Sequence, residues 1–92
     1  MVGSSPAFGT MFFVYALNSI YHNFIYVGMT EELDARIVRH NKGYVRSTKR
    51  FAPFELFYSE ICEDGKQARE REKFLKSTSG KRFLKTILNN QK

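Results

Sequence analysis

The sequence is poor in the residues that staple or metallate small secreted domains. It has one cysteine, Cys62, which excludes an internal disulfide framework. Two histidines, His22 and His40, added to that cysteine leave too few soft ligands for a typical structural zinc site. Long apolar runs are missing as well. The longest, Met11 to Leu17, falls far short of a bilayer span, and no basic segment precedes it, so it does not read as a signal peptide. A chain of 92 residues has no room for a second core. What is there is 42% hydrophobic and 15% aromatic, a globular composition rather than a disordered one. These features lead us to expect one soluble domain, cytoplasmic and without a membrane partner.

Acidic residues are absent from a decisive stretch. The chain carries +6 overall, but residues 1–34 contribute −3, residues 35–50 contribute +6 with no acid, residues 51–64 contribute −4 and residues 65–92 contribute +7. Two basic blocks in so short a chain form an electrostatic footprint for a polyanion, and nucleic acid is the expected partner. No strongly amphipathic basic helix stands clear of the core pattern, which disfavours a membrane surface.

Residues 1–10 (MVGSSPAFGT) lack periodicity and read as a flexible leader or tag ahead of a domain over residues 11–90. Residues 11–17 (MFFVYAL) and 24–29 (FIYVGM) read as strands. The six-residue link between them is too short for a parallel crossover, so an antiparallel hairpin is expected. Alternation puts Tyr15 with Phe13 and Leu17, and Tyr26 with Phe24 and Gly28; register decides whether these two faces coincide. Thr30 is a candidate N-cap for a helix running to about His40, with Asn41 and Gly43 as its stop. Arg36 and His40 are one turn apart, roughly 60° from the Leu33–Ile37 stripe, at the edge of the buried face. A basic loop over 42–53 leads to a third strand over 54–61. A helix over 66–77 follows, with Ala68, Leu75 and Phe74 inward, then a last helix capped by Ser79 and carrying Phe83, Leu84, Ile87 and Leu88. The order β-β-α-β-α-α predicts an α+β fold, a small three-stranded antiparallel sheet flanked by helices. Glu72 is the odd residue, because a carboxylate on the Ala68–Leu75 stripe is costly unless it is paired or binds a metal.

Taken in order, these residues resemble the GIY-YIG nuclease family. The first motif reads Phe13-Val14-Tyr15 and the second Tyr26-Val27-Gly28; Arg36 follows the second tyrosine by ten residues, His40 lies four further on, and Glu72 sits in the segment AREREKFLK. Singly, each has a bland explanation: strand packing for the tyrosines, a surface cation, a histidine at a helix C-terminus, a glutamate swung into water. Those explanations do not predict the ordered set. The resemblance covers residues 11–88 and is to small stand-alone members, similar to the N-terminal nuclease domain of the excinuclease C subunit.

The resemblance implies a metal-dependent DNA endonuclease acting in repair or recombination on branched, flapped or single-stranded DNA, and the lack of a base-reading helix with a known side-chain code predicts low sequence specificity. The resemblance assigns Glu72 to one divalent ion, Mg²⁺ or Mn²⁺, and Arg36 to the scissile phosphate. Tyr15 serves as base with His40 assisting and Tyr26 positions the phosphate, or the two tyrosines exchange roles. Lys42, Arg46, Lys49 and Arg50 are expected to track the DNA backbone. The alternative is a catalytically weak or inactive nucleic-acid-binding module, or an adaptor docked to a protein partner in a larger repair complex. The sequence departs from the family pattern at Phe13-Val14, at Met29 where some members carry lysine, and in lacking a secure asparagine after Glu72.

Overall fold

A computed structural model describes residues 11–91; the leader expected over residues 1–10 lies outside that range. Strand β1 (Phe12–Ser19) occupies the centre of a three-stranded antiparallel sheet, with β2 (Ile25–Thr30) and β3 (Phe54–Cys62) as its two edges. Helix α1 (Leu33–Asn41) follows β2, and helices α2 (Gly65–Lys76) and α3 (Thr78–Asn90) follow β3. The α+β class and the order β-β-α-β-α-α are as expected.

The sheet separates two apolar clusters, as alternation on a strand requires. Val14, Ala16 and Val27 face α2 and α3 and pack with Phe57, Ala68, Leu75 and Leu84. Tyr15 and Leu17 face α1 and pack with Phe54, Tyr26, Leu33 and Ile37. Leu17, Leu75 and Leu84 are wholly buried, each contributing about 1.5–3 kcal/mol relative to exposure. On the other side of α2, Arg71 donates from Nε and Nη2 to Glu60 at 2.7 and 3.1 Å, fixing the helix to β3.

Helix ends depart from expectation in two places, and one side chain faces the other way. Thr30 is not the cap of α1: it ends β2, and its Oγ1 accepts from the Glu32 amide at 3.1 Å, so the helix begins at Leu33 with only Asp34 acidic in its first turn. Ser77, not Ser79, caps α3, accepting from the Gly80 amide at 3.2 Å while donating to the Phe74 carbonyl at the end of α2. Phe74 is 39% exposed rather than inward, because the Arg71 guanidinium lies 5.0 Å from its ring centroid on the outer surface. Phe83 is also largely exposed, resting edge-on against Tyr58.

Gly80, in the first turn of α3, permits the close approach of that helix to the end of α2. A Cβ on Gly80 would sit 2.1 Å from the Phe74 carbonyl oxygen and 2.4 Å from Leu75 Cα, both backbone atoms that cannot rotate aside. Gly80→Ala should therefore destabilise the domain by about 3 kcal/mol or more, lowering Tm by roughly 12 °C or more. Thermal unfolding followed by circular dichroism checks this; an unchanged Tm would show that the joint opens without cost.

Candidate active site

Register brings the two motif tyrosines to one face. Tyr15 is paired with Gly28 and Leu17 with Tyr26, so Tyr15 and Tyr26 both point toward α1, with ring centroids 6.1 Å apart. Gly28 makes this possible. A Cβ there would lie 2.8 Å from both the Tyr15 hydroxyl and Tyr26 Cε2, so the family-type glycine serves as a space between two phenols.

Helix α1 delivers His40 and Arg36 to the same place. His40 is completely buried, deeper than its helical position suggests, and its Nε2 lies 3.0 Å from the Tyr15 hydroxyl. Its Nδ1 lies 2.9 Å from Thr48 Oγ1, which in turn donates to the Val45 carbonyl. These partners assign the tautomer: with its own proton directed at Val45, Thr48 accepts from Nδ1–H, and Nε2 accepts from the Tyr15 O–H. The Tyr26 ring stands 4.8 Å from the imidazole.

The ionisation of this group follows from its surroundings. Burial, with the nearby charges of Arg36 and Arg39, lowers the His40 pKa to about 4, so the ring is neutral at physiological pH. Burial raises Tyr15 to about 12; Arg36 opposes that shift, while the charges of Tyr26 and Glu72 add to it. Arg36 lies against both phenols, Tyr15 most strongly, and its pKa is raised by them. Yet its buried Nε has no hydrogen-bond partner. A guanidinium with an unmade bond, beside two phenols and a neutral imidazole, is arranged to receive an anion.

The family model for the GIY-YIG catalytic domain matches residues 11–86. The chain belongs to the GIY-YIG family. This is a nuclease family, and its members generally use divalent metal ions. The chain is also 40% identical over 70 residues to the UPF0213 protein in ldhD 5′ region of Pediococcus acidilactici, covering 72% of this chain and 70% of that one. It is 33% identical over 64 residues to a UPF0213 protein of Staphylococcus saprophyticus subsp. saprophyticus, covering 68% of this chain and 78% of that one. No solved structure matches it.

Within the GIY-YIG domain the expected residues divide into three groups. Tyr15, Tyr26, Arg36 and His40 gather on the α1 face of the sheet. Glu72 comes from α2, and its charge reaches Tyr15. Its side chain is partly exposed, and Oε2 pairs with Lys76 at 3.3 Å one helical turn away. Lys42, Arg46, Lys49 and Arg50 are all exposed in the segment after α1, and Lys49 and Arg50 belong to a short 3₁₀ turn over Lys49–Phe51. Thr48 is a member that sequence reasoning missed. It sits in a polar loop without periodicity, and no local signal marks it as the support for a histidine.

No group of three or more His, Cys, Asp or Glu side chains suited to a metal occurs among the described residues. A protein cage is therefore not what Glu72 offers. A single carboxylate, 22% exposed, whose partner is a flexible lysine fits a hard ion that keeps most of its waters, as Mg²⁺ does.

Proposed function

We propose that this GIY-YIG protein is a metal-dependent DNA endonuclease, and the observation that carries the reading is the Tyr15–His40 hydrogen bond beside Arg36. Arg36 binds the scissile phosphate, satisfying the Nε donor left unpaired in the free protein. Tyr15 then acts as a proton relay. An attacking water gives its proton to the Tyr15 oxygen while the Tyr15 proton passes to His40 Nε2, and Nδ1–H holds the resulting imidazolium against Thr48. With an ordinary value pushed up to about 12, Tyr15 would be a poor base alone, so the relay needs the imidazole. The Arg36 charge is one cause of the low His40 pKa, and a phosphate bound to Arg36 offsets it, making His40 more basic when substrate is present. Tyr26, whose ring also lies against His40, orients the phosphate. Glu72 would hold one Mg²⁺ or Mn²⁺. Bound there, the ion would neutralise charge developing on the leaving oxygen.

The exposed Lys42, Arg46, Lys49 and Arg50 hold the DNA backbone. Backbone contacts position a substrate without reading it, which supports low sequence specificity; the role we propose is in repair or recombination, alone or with a protein partner. Cys62 is free and buried, which suits a reducing cytoplasm. No helix among the described residues is long and apolar enough to cross a membrane.

The test is cleavage of labelled duplex, single-stranded, flap and four-way-junction DNA in Mg²⁺ or Mn²⁺. Wild type should cut, and Glu72→Gln, purified identically, should lose at least about a hundredfold in rate. Equal cutting by both would place the metal on another group or show a contaminant. A second reading, binding without cleavage, is favoured by the complete burial of Tyr15 and His40. It expects salt-sensitive binding and no cutting by either protein.

A further inference from the structure

The second basic block of the sequence has no role in the chemistry above. From Lys73 onward the chain contains no acidic residue. Three of its exposed lysines, Lys76, Lys81 and Lys85, converge from α2 and α3 on one cleft of about 500 Å³. The facing wall is residues 23–27, along the outer side of β2, which is an edge strand with no neighbour beyond it. Leu84, Ile25 and Val27 supply an apolar floor, and no carboxylate lines the cleft. Lys81, Arg82 and Lys85 continue the positive surface along α3 into an adjoining shallow hollow.

Two residues that line the cleft also border the candidate site. Tyr26 lines it, and the ring of Tyr26 is 4.8 Å from His40. Lys76 lines it too, and is the residue that pairs with Glu72. Positive charge on one wall, an apolar floor and a free strand edge form the kind of groove that single-stranded nucleic acid occupies, with phosphates on the lysines and sugar and base faces on the floor. Its volume falls in the range of about 300–1,000 Å³ that holds drug-sized ligands, enough for a nucleotide-sized group but not for the body of a duplex.

We propose that this cleft seats an unpaired DNA strand and leads it to the candidate active site, with Lys81 and Lys85 holding successive phosphates. The direction of travel rests on the nuclease reading; the binding itself does not. The experiment measures anisotropy of a labelled short oligothymidylate and of a blunt duplex, without metal, across a salt series. The proteins are wild type, Lys81→Gln/Lys85→Gln, and the control Lys66→Gln/Arg69→Gln, which removes the same charge from exposed α2 positions outside the cleft lining. The Lys81/Lys85 variant should bind the oligothymidylate about tenfold more weakly, with the slope of log affinity against log salt reduced by about 1.4, and should lose less on duplex. Wild-type affinity and slope in that variant would overturn the proposal, as would an equal loss in the control. Wild-type cleavage is scored separately. Cleft-dependent binding without cutting removes the nuclease reading and keeps the track, whereas cutting with cleft-independent binding does the reverse.

Discussion

Arg36→Ala should cut DNA at least a hundredfold to a thousandfold more slowly than wild type while melting at the same temperature or higher. The two halves of this expectation have one cause. In the free protein the buried Nε of Arg36 is unpaired, and a buried donor without an acceptor costs about 1–3 kcal/mol. The guanidinium also helps depress the His40 pKa and is pressed against two phenols. Removing it relieves the cost of the unpaired donor, offset by the loss of its favourable contact with the two phenols and of its aliphatic packing. A phosphate anion would supply the missing acceptor, and a preorganised donor aimed at developing charge is worth about 10²–10³ in rate. Arg36→Lys keeps the charge without the planar fork, so it should recover only part of the loss. Cleavage rate and thermal melting on the same preparations check both halves. A large drop in Tm with the drop in rate would make Arg36 a packing residue, and unchanged cutting would take it out of the site.

How far such a site could be read from sequence depends on which distance each feature travels. The strands MFFVYAL and FIYVGM announce themselves by local composition, and their link length makes them a hairpin. Whether Tyr15 and Tyr26 share a face does not follow from either strand alone. It follows from pairing Tyr15 with Gly28, a register fixed by a turn that begins only after β1 has continued to Ser19. The Arg36–His40 spacing places both residues on one side of α1, but helical geometry alone leaves His40 at the rim of the buried face. The chain after α1 buries it: Thr48 bonds its Nδ1, and Asn41 Oδ1 accepts from the Phe54 amide at 2.7 Å, drawing the loop back over the helix end. That loop has no period to read, which is why Thr48 was invisible. The cap of α3 failed for a different reason. Ser77 and Ser79 flank one threonine, and only where α2 stops decides which serine lies at the joint. Glu72 was legible because it broke the pattern of its helix, an inconsistency of the sort that functional residues introduce.

The fold should lose about 2 kcal/mol of stability between pH 7 and pH 5, and His40 should account for it. A histidine ordinarily titrates near 6.5, but burial, with Arg36 and Arg39 close by, holds His40 at about 4. Between those values the unfolded chain takes up a proton that the folded chain refuses. Stability therefore rises with pH through this window: the His40 contribution is full above about 6.5 and is lost progressively down to about 4, amounting to about 3 kcal/mol in all. Carboxylates obey a different window. Glu60, held below its usual range mainly by its hydrogen bonds from Arg71, gives up its contribution only as pH falls below the ordinary carboxylate value of 4.5. The interval from 7 to 5 thus isolates the imidazole. Urea unfolding of wild type and His40→Gln at both pH values reads the difference directly. The variant's absolute stability will shift with the loss of the Tyr15 and Thr48 bonds, but its change between the two pH values should be small. Equal pH dependence in both proteins would mean that His40 binds its proton in the folded state as readily as in the unfolded one. The relay would then begin from an imidazolium with no lone pair to accept the Tyr15 proton below about pH 6.5, and Tyr26, whose ring also lies against His40, would become the stronger candidate to receive the proton from water.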